Sequence, residues 1–242
     1  MIRAIKQYVL KQQYTPGFLG LWLNPFYHAR SELGKAIGQM APSMRGRLLD
    51  VGCGRKPYRE MFLANEYVGL EIDTPENRAN KQADFFYDGN SFPFGEQDFD
   101  GVVCNQVLEH VFIPDQFLGE IYRVLKPKGL LLLTVPFVWD EHEQPWDYAR
   151  YSSFGLKSLL EKNGFEVLKQ RKTNADVRML FQLVNAYSFK VLWTRWPVIN
   201  LLICATVMAP FNILGAFLYK VLPANPDLYL DQVVLARKIA NE

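Results

Sequence analysis

Each shortage in this sequence removes a class of protein. There are three cysteines in 242 residues: Cys53, Cys104 and Cys204. An odd count without paired spacing excludes a disulfide framework and a cysteine-built zinc site, and it fits a reducing, cytosolic setting. No other metal-ligand spacing stands out, so no metal is expected. Histidine is equally scarce, with only His28, His110 and His142. No internal repeat or low-complexity tract appears, which excludes solenoids and disordered arrays. The first residues hold no uninterrupted apolar run, because Lys6 and Lys11 break it. No small-residue cleavage pattern follows, so a secretory leader is not expected. Acids are nearly missing from both flanks. Residues 1–47 carry seven Lys/Arg against Glu32 alone, and residues 169–222 carry seven against Asp176 alone. Between them, residues 48–168 hold twenty acids and eleven bases.

What remains is a folded chain, 49% hydrophobic and 21% charged, long enough for one substantial core with additions. From Leu48 the pattern becomes regular. Leu48-Leu49-Asp50-Val51 reads as a short buried strand entering Gly52-Cys53-Gly54, and Pro57 sits where a helix can begin. Residues 67–71 form a second strand, 83–86 a weak third and 99–104 a fourth. Residues 114–125 place Phe117, Leu118, Ile121, Val124 and Leu125 on one helical face. Lys126-Pro127-Lys128-Gly129 stops that helix. Residues 130–135 are apolar on both faces, as a central parallel strand should be. Ser152 or Ser153 caps a helix ending near Asn163-Gly164. Residues 165–171 and 228–237 supply the last two strands. Alternating strands and helices predict a doubly wound, mostly parallel seven-stranded α/β sheet.

The loop 50–54 falls at the carboxyl edge of that sheet, where open α/β folds bind ligands. Two glycines let the backbone turn sharply and approach a ligand closely. A dinucleotide fingerprint would place a third small residue where Pro57 stands, which disfavours a pyrophosphate. Glu71 ends the second strand, and a carboxylate there can accept two hydrogen bonds from a ribose diol. A nucleoside without phosphates fits both observations.

Five stretches now stand in order: 48–54, the strand ending in Glu71, 88–94 (Asp-Gly-Asn-Ser-Phe-Pro-Phe), 99–110 (Phe-Asp-Gly-Val-Val-Cys-Asn-Gln-Val-Leu-Glu-His), and 125–129 (Leu-Lys-Pro-Lys-Gly). Together they resemble the successive motifs of class I S-adenosylmethionine-dependent methyltransferases, of the methyltransferase type 11 kind. The resemblance covers about residues 45–172 and returns at 228–238. It implies S-adenosylmethionine as cofactor. The loop Gly52, Cys53, Gly54 would pass under the methionine part, with Asp50 orienting the loop or the amino group. Glu71 would hold the ribose hydroxyls. Asp88 would sit by the adenine amino group, with Gly89 giving a backbone contact. Asn105 and Gln106 would line the pocket near the methionine part. Turn chemistry is the plainer reading of Asp88 and Asn105.

Residues 140–151 (Asp-Glu-His-Glu-Gln-Pro-Trp-Asp-Tyr-Ala-Arg-Tyr) directly follow the fifth strand, again at the carboxyl edge. Acids, imidazole, phenols and a guanidinium in one loop make a candidate acceptor site. His142 is the expected base, oriented by Glu141, Glu143 or Asp147. Tyr148 joins the set, and Arg150 is expected to bind an acceptor carboxylate or phosphate. The plainer reading is a solvated loop with Tyr148 and Arg150 packed under it. His110 either faces the pocket or serves as a cap or core residue. His28 receives no chemical role.

Residues 198–219 contain no charge, long enough for a membrane span. Trp193 and Trp196 precede this run, and Tyr219 with Lys220 follows it, like interface anchors. Asn200 and Asn212 are polar, Pro210 and Gly215 are expected to break the helix, and a strand follows. Residues 179–221 are therefore read as an insertion of helices that lie on a membrane, roof the site or form a dimer interface. Phe18, Leu19, Leu21, Trp22, Leu23, Phe26 and Tyr27 beside Arg3, Lys6 and Lys11 would complement it. The chain then divides into a basic, aromatic extension (1–44), a cofactor-binding core (45–175), a hydrophobic helical insertion (176–223) and the closing strand (224–242). Pro16-Gly17, residues 24–27, Lys56-Pro57-Tyr58 and the 142–151 loop resemble bacterial methyltransferases of surface-glycan or lipid-linked sugar pathways. The expected function is O-methylation of a small or lipid-linked acceptor, saccharide or quinone-like, in the cytoplasm at the inner membrane face. A soluble enzyme with a hydrophobic lid and a non-catalytic scaffold are the alternatives. The aromatic flanks suit nucleic acid poorly, and no Asn-Pro-Pro-aromatic motif follows the fourth strand.

Overall fold

Leucine and valine side chains fill both faces of the strand after Arg47, and this strand, β1 (Arg45–Val51), lies inside the sheet. The computed structural model describes residues 12–80 and 82–240. Arg3, Lys6 and Lys11 of the basic stretch lie outside them. The described residues divide into two units: a sheet unit (36–137, 141–171 and 232 onward) and a helical unit (up to 35, 138–140 and 172–231).

The chain order begins with the short helix α1 (Gly20–Leu23), then α2 (Tyr27–Met40) and β1. There follow β2 (Leu63–Ile72), α3 (Pro75–Asn80), β3 (Phe85–Tyr87), β4 (Phe99–Asn105), α4 (Pro114–Val124), β5 (Leu125–Pro136), α5 (Ser153–Lys162) and β6 (Phe165–Lys172). After α6 (Arg178–Leu192) and a long apolar helical segment, β7 (Asp231–Lys238) closes the sheet.

Seven strands stand in the order β3-β2-β1-β4-β5-β7-β6. The pairs β2–β3, β1–β2, β1–β4 and β4–β5 are parallel. Hydrogen bonds from Thr173 to Asp231 and from Ile239 to Gly164 run β7 antiparallel to β6. The strand order reverses between β1 and β4, the switch point at which such sheets open a crevice. The core beneath is fully apolar: Leu49, Val51, Val102, Leu131 and Leu133 meet Leu118, Ile121 and Val124 of α4 and Leu156 and Leu160 of α5. Ser152 caps α5, accepting from the Gly155 N–H at 3.2 Å.

Two local expectations change. The helix expected at Pro57 is only a 3-10 turn, Arg59–Met61. β2 starts at Leu63, paired with Arg45, so the intervening chain is too short to repay helix nucleation. Likewise, Pro210 and Gly215 do not break the helix. The segment Pro197–Leu218 is continuous, with α7 (Pro197–Ile203), a π-turn (Cys204–Met208) and α8 (Ala209–Leu218). The π-turn directly precedes Pro210, where the missing N–H and the ring would otherwise disrupt the regular ladder. Gly215 is the one residue that fits beside His28, since a Cβ there would lie 2.7 Å from the imidazole Nε2.

Polarity in the helical unit is inverted. Asn185, Asn200, Asn212, Gln182 and His28 are buried, whereas Val198, Leu201, Leu202, Leu214 and Phe217 are exposed. Asn212 donates to the carbonyls of Leu21 and Asn24 (3.1 and 3.0 Å), and Asn185 donates to Asn212 Oδ1 (2.9 Å). Burial drives the pKa of His28 down to about 4, so it packs as a neutral ring. The Pro197–Leu218 helix is the one described helix long and apolar enough to cross a membrane, and only 28% of its most apolar stretch is buried.

Candidate active site

The first glycine turn is built by steric demand. Gly52 and Gly54 have φ of +67° and +52°, a region that favours glycine. A Cβ on Gly52 would lie 2.3 Å from Val107 Cγ2, while one on Gly54 would meet nothing within 4 Å. The turn is therefore clamped on one side and open on the other. The N–H groups of Gly52 and Cys53 both donate to the Leu70 carbonyl (2.9 and 3.3 Å). Glu71, buried at the end of β2, accepts the Gly54 N–H at 3.0 Å through Oε2. Lys56 pairs with Asp84, which also accepts the Gly69 N–H at 2.7 Å. This clamp under the turn escaped the sequence reading; the adjoining Pro57 was its only signal.

Asp50 is buried and accepts the Tyr67 hydroxyl at 2.9 Å. Burial raises its pKa from 3.8 to about 7, against the lowering influence of that hydrogen bond and of Lys56. A buried acid of this kind readily takes a nearby cation as its partner. The shift also fixes a pH dependence. The folded protein holds the proton that the unfolded chain releases above about pH 4, so stability falls from pH 4 to pH 7 and then levels. A three-unit difference is worth about 4 kcal/mol at its full extent. We expect Asp50→Asn to raise the melting temperature of the cofactor-free protein, with a larger gain at pH 8 than at pH 5. Equal gains at both pH values would contradict the shift. Cys53 is buried as well, and burial pushes its thiol up to about 12, so it contributes backbone and no thiolate chemistry.

Asp88 closes a turn of its own. It accepts the N–H groups of Asn90 (2.9 Å) and Ser91 (3.1 Å), which hold its carboxyl below the usual range. The turn chemistry expected as the plainer reading is thus present. Gly89 beside it has φ +88° and open space where a Cβ would be. At the end of β4, Asn105 Oδ1 accepts the Thr134 hydroxyl (2.8 Å), and the Gln106 N–H donates to the Thr134 carbonyl (3.0 Å). Gln106 sits at φ +55°. Thr134, buried on β5, therefore holds both residues in place. It is the one polar residue in an otherwise aliphatic run, a signal available in the sequence.

The loop after β5 brings His142 to His110. Their rings meet edge to face with centroids 4.8 Å apart. His142 Nδ1 lies 3.3 Å from Asp147 Oδ2, and the His142 N–H donates to the same oxygen at 3.0 Å. Of the three acids expected to orient His142, Asp147 does so. Arg150 binds Asp147 with both terminal nitrogens (2.5 and 2.7 Å). The Arg150 guanidinium holds the Asp147 carboxyl down at about 2. Arg150 thus pairs with Asp147 within the loop. Tyr148 is exposed, stacks edge-on against Phe112 and donates its backbone N–H to the Glu109 carbonyl (2.9 Å). Glu109 itself, passed over in the sequence, is fully buried beside His110, with Oε1 3.9 Å from Nε2.

The switch point between β1 and β4, the glycine turn and the acid ending β2 define an α/β fold of the class I methyltransferase kind. The chain belongs to the methyltransferase-domain family, whose sequence profile matches residues 26–170. It is 30% identical over 143 residues to a probable S-adenosylmethionine-dependent methyltransferase of Mycolicibacterium smegmatis, covering 53% of this chain and 56% of that protein. It is 28% identical over 166 residues to the O-methyltransferase rstn1 of Aspergillus nomiae, covering 58% and 74%. The match thus spans little more than half of the mycobacterial relative. Among solved structures it resembles the [4+2]-cyclase SpnF, with a TM-score of 0.56 and 20% identity over 89% of this chain and 83% of that one. That last likeness is one of fold, and the fold alone does not fix the reaction.

Proposed function

We propose that the protein is an S-adenosylmethionine-dependent O-methyltransferase acting on a small or lipid-linked acceptor, a saccharide or quinone-like lipid, at the inner membrane face. The observation that carries the cofactor assignment is the Gly54–Glu71 hydrogen bond. It sets a buried carboxylate at the lip of an open glycine turn, beside a second buried acid that favours a cation. S-adenosylmethionine, when bound, supplies a methyl group already activated on a positive sulfur. In this reading Gly52, Cys53 and Gly54 lie along the methionine part, with Asp50 toward its amino group. Glu71 receives the ribose hydroxyls. Asp88 and Gly89 border the adenine, and Asn105 and Gln106 fix the wall held by Thr134. His142, set by Asp147, takes the acceptor's hydroxyl proton. Holding the acceptor in line with the methyl group supplies much of the remaining rate.

The inverted polarity of the helical unit supports the membrane half of the proposal. Water is a poor neighbour for exposed Val198, Leu201, Leu202 and Phe217, each worth about 1.5 to 3 kcal/mol when buried. Lys190, Arg195 and Lys220 near the ends of these helices suit an anionic headgroup layer. We expect the protein to float with vesicles of phosphatidylcholine and phosphatidylglycerol. Leu201→Glu with Leu202→Glu should weaken that partition at least tenfold. If the unsubstituted protein ignores such vesicles at low salt, the soluble reading with a hydrophobic lid replaces this one. The acceptor is found by incubating the protein with methyl-labelled cofactor and a lipid extract. Mass spectrometry should then show one lipid species gaining a single labelled methyl group; transfer to no component would count against the proposal.

A further inference from the structure

Glu109, His110 and His142 each offer a lone-pair atom, and these three atoms all lie within 4.8 Å of one another. Each imidazole has a separate partner at its Nδ1 edge. His110 Nδ1 is 2.7 Å from the Trp146 carbonyl oxygen. A carbonyl only accepts, so Nδ1 carries the proton and Nε2 carries the lone pair. His142 Nδ1 faces Asp147 at 3.3 Å. That ring edge faces the carboxylate, so Nε2, on the far side of the ring, is the atom available to a ligand. A backbone carbonyl or carboxylate behind the far nitrogen is the arrangement that orients metal-ligating histidines and raises their basicity. The third group, Glu109, is fully buried, and a buried carboxylate is stabilised by a cation at its oxygens.

We propose that Glu109, His110 and His142 form a binding site for one divalent first-row transition-metal ion, with zinc as its representative. Two imidazoles and one carboxylate are a ligand set that such ions take while keeping a coordination position open. The side chains of His110 and His142 are 20% and 29% exposed, while that of Glu109 is closed off. One side of the site is therefore open to water or an acceptor oxygen. Bonds of about 2.1 Å place tetrahedral ligand atoms about 3.4 Å apart. The His110–Glu109 separation of 3.9 Å closes to this by small side-chain rotations. Sequence spacing hides the set, because His142 stands 32 residues beyond His110 and joins it only across the ends of β4 and β5.

The consequence for catalysis rests on the proposed methyl transfer. In the ion-free protein His142 takes the acceptor's proton, and an ion on its Nε2 would acidify the acceptor hydroxyl in its place, so His142→Ala lowers turnover in either state. The binding site itself is tested without acceptor or turnover. Full-length protein stripped with a chelator is titrated with Zn²⁺ by competition calorimetry, and with Co²⁺ by visible absorption. One ion per chain is expected, with the absorption bands of a nitrogen-ligated, low-coordinate cobalt site. His110→Ala and His142→Ala should each weaken affinity at least tenfold. Asp147→Asn, which changes no ligand, should weaken it about 10- to 100-fold. S-adenosylmethionine affinity is measured on the same samples. A protein that binds the cofactor but takes up no ion, or binds it equally well as the His110→Ala/His142→Ala double variant, overturns the metal site alone. A protein that binds the ion at these residues but not the cofactor overturns the functional reading and leaves the metal site standing.

Discussion

Glu71→Ala is expected to weaken S-adenosylmethionine binding about a hundredfold. A carboxylate at the end of β2 would accept both ribose hydroxyls, and a hydrogen bond to a charged group is worth about 1.5 to 3 kcal/mol. Two of them lost at the lower figure amount to about 3 kcal/mol, or about two decades in Kd. The substitution also releases the Gly54 N–H, which Glu71 now holds at 3.0 Å, so the turn itself loosens. Calorimetry measures the loss directly, and circular dichroism confirms that the sheet persists. Glu71→Gln keeps one acceptor oxygen and should fall between the two. An unchanged Kd in Glu71→Ala would remove the ribose from this end of the crevice.

His142→Ala is expected to lower turnover by about 10²- to 10⁴-fold, the range over which a positioned acid–base group acts, while leaving the cofactor Kd within about twofold. The separation follows from location. The glycine turn and Glu71 belong to the ends of β1 and β2, whereas His142 belongs to the loop after β5. Asp147→Asn should give a smaller loss, because the amide still fills the space but no longer fixes Nδ1 as the protonated nitrogen. Arg150→Met should act in the same direction by freeing Asp147 from its bidentate partner. Turnover unchanged in His142→Ala would withdraw this residue from proton transfer altogether.

The sheet was legible in the sequence because its strands are short apolar runs ended by glycine, proline or acid. Leu48 to Val51 and residues 130–135 could hardly be anything but inner strands. What stayed hidden depended on neighbours. The first residues of β2, Leu63-Ala64-Asn65-Glu66, carry no strand pattern and extend only because Arg45 to Arg47 pair with them. Pro210 looked like a break because periodicity cannot show the π-turn that absorbs it. The candidate cofactor-site residues stand in the sequence as motifs in order, since loops at strand ends need glycine and acid at set spacings. The acceptor side was less so. His142 was visible as an imidazole among acids, but its choice of Asp147 over Glu141 and Glu143 is a matter of three-dimensional reach. The pairing of Arg150 with Asp147 is likewise a matter of three-dimensional reach. Glu109 passed unnoticed because its burial depends on the loop that follows β5, whose Tyr148 and Ala149 N–H groups both donate to its carbonyl.

The most direct measurement is a crystal structure of the protein grown with S-adenosylhomocysteine. The account predicts that the ribose hydroxyls lie within hydrogen-bonding distance of Glu71, that the amino-acid portion follows the open side of Gly54, and that Asp50 faces its ammonium. Density for the compound elsewhere, or a crevice filled by the protein's own side chains under saturating ligand, would contradict it.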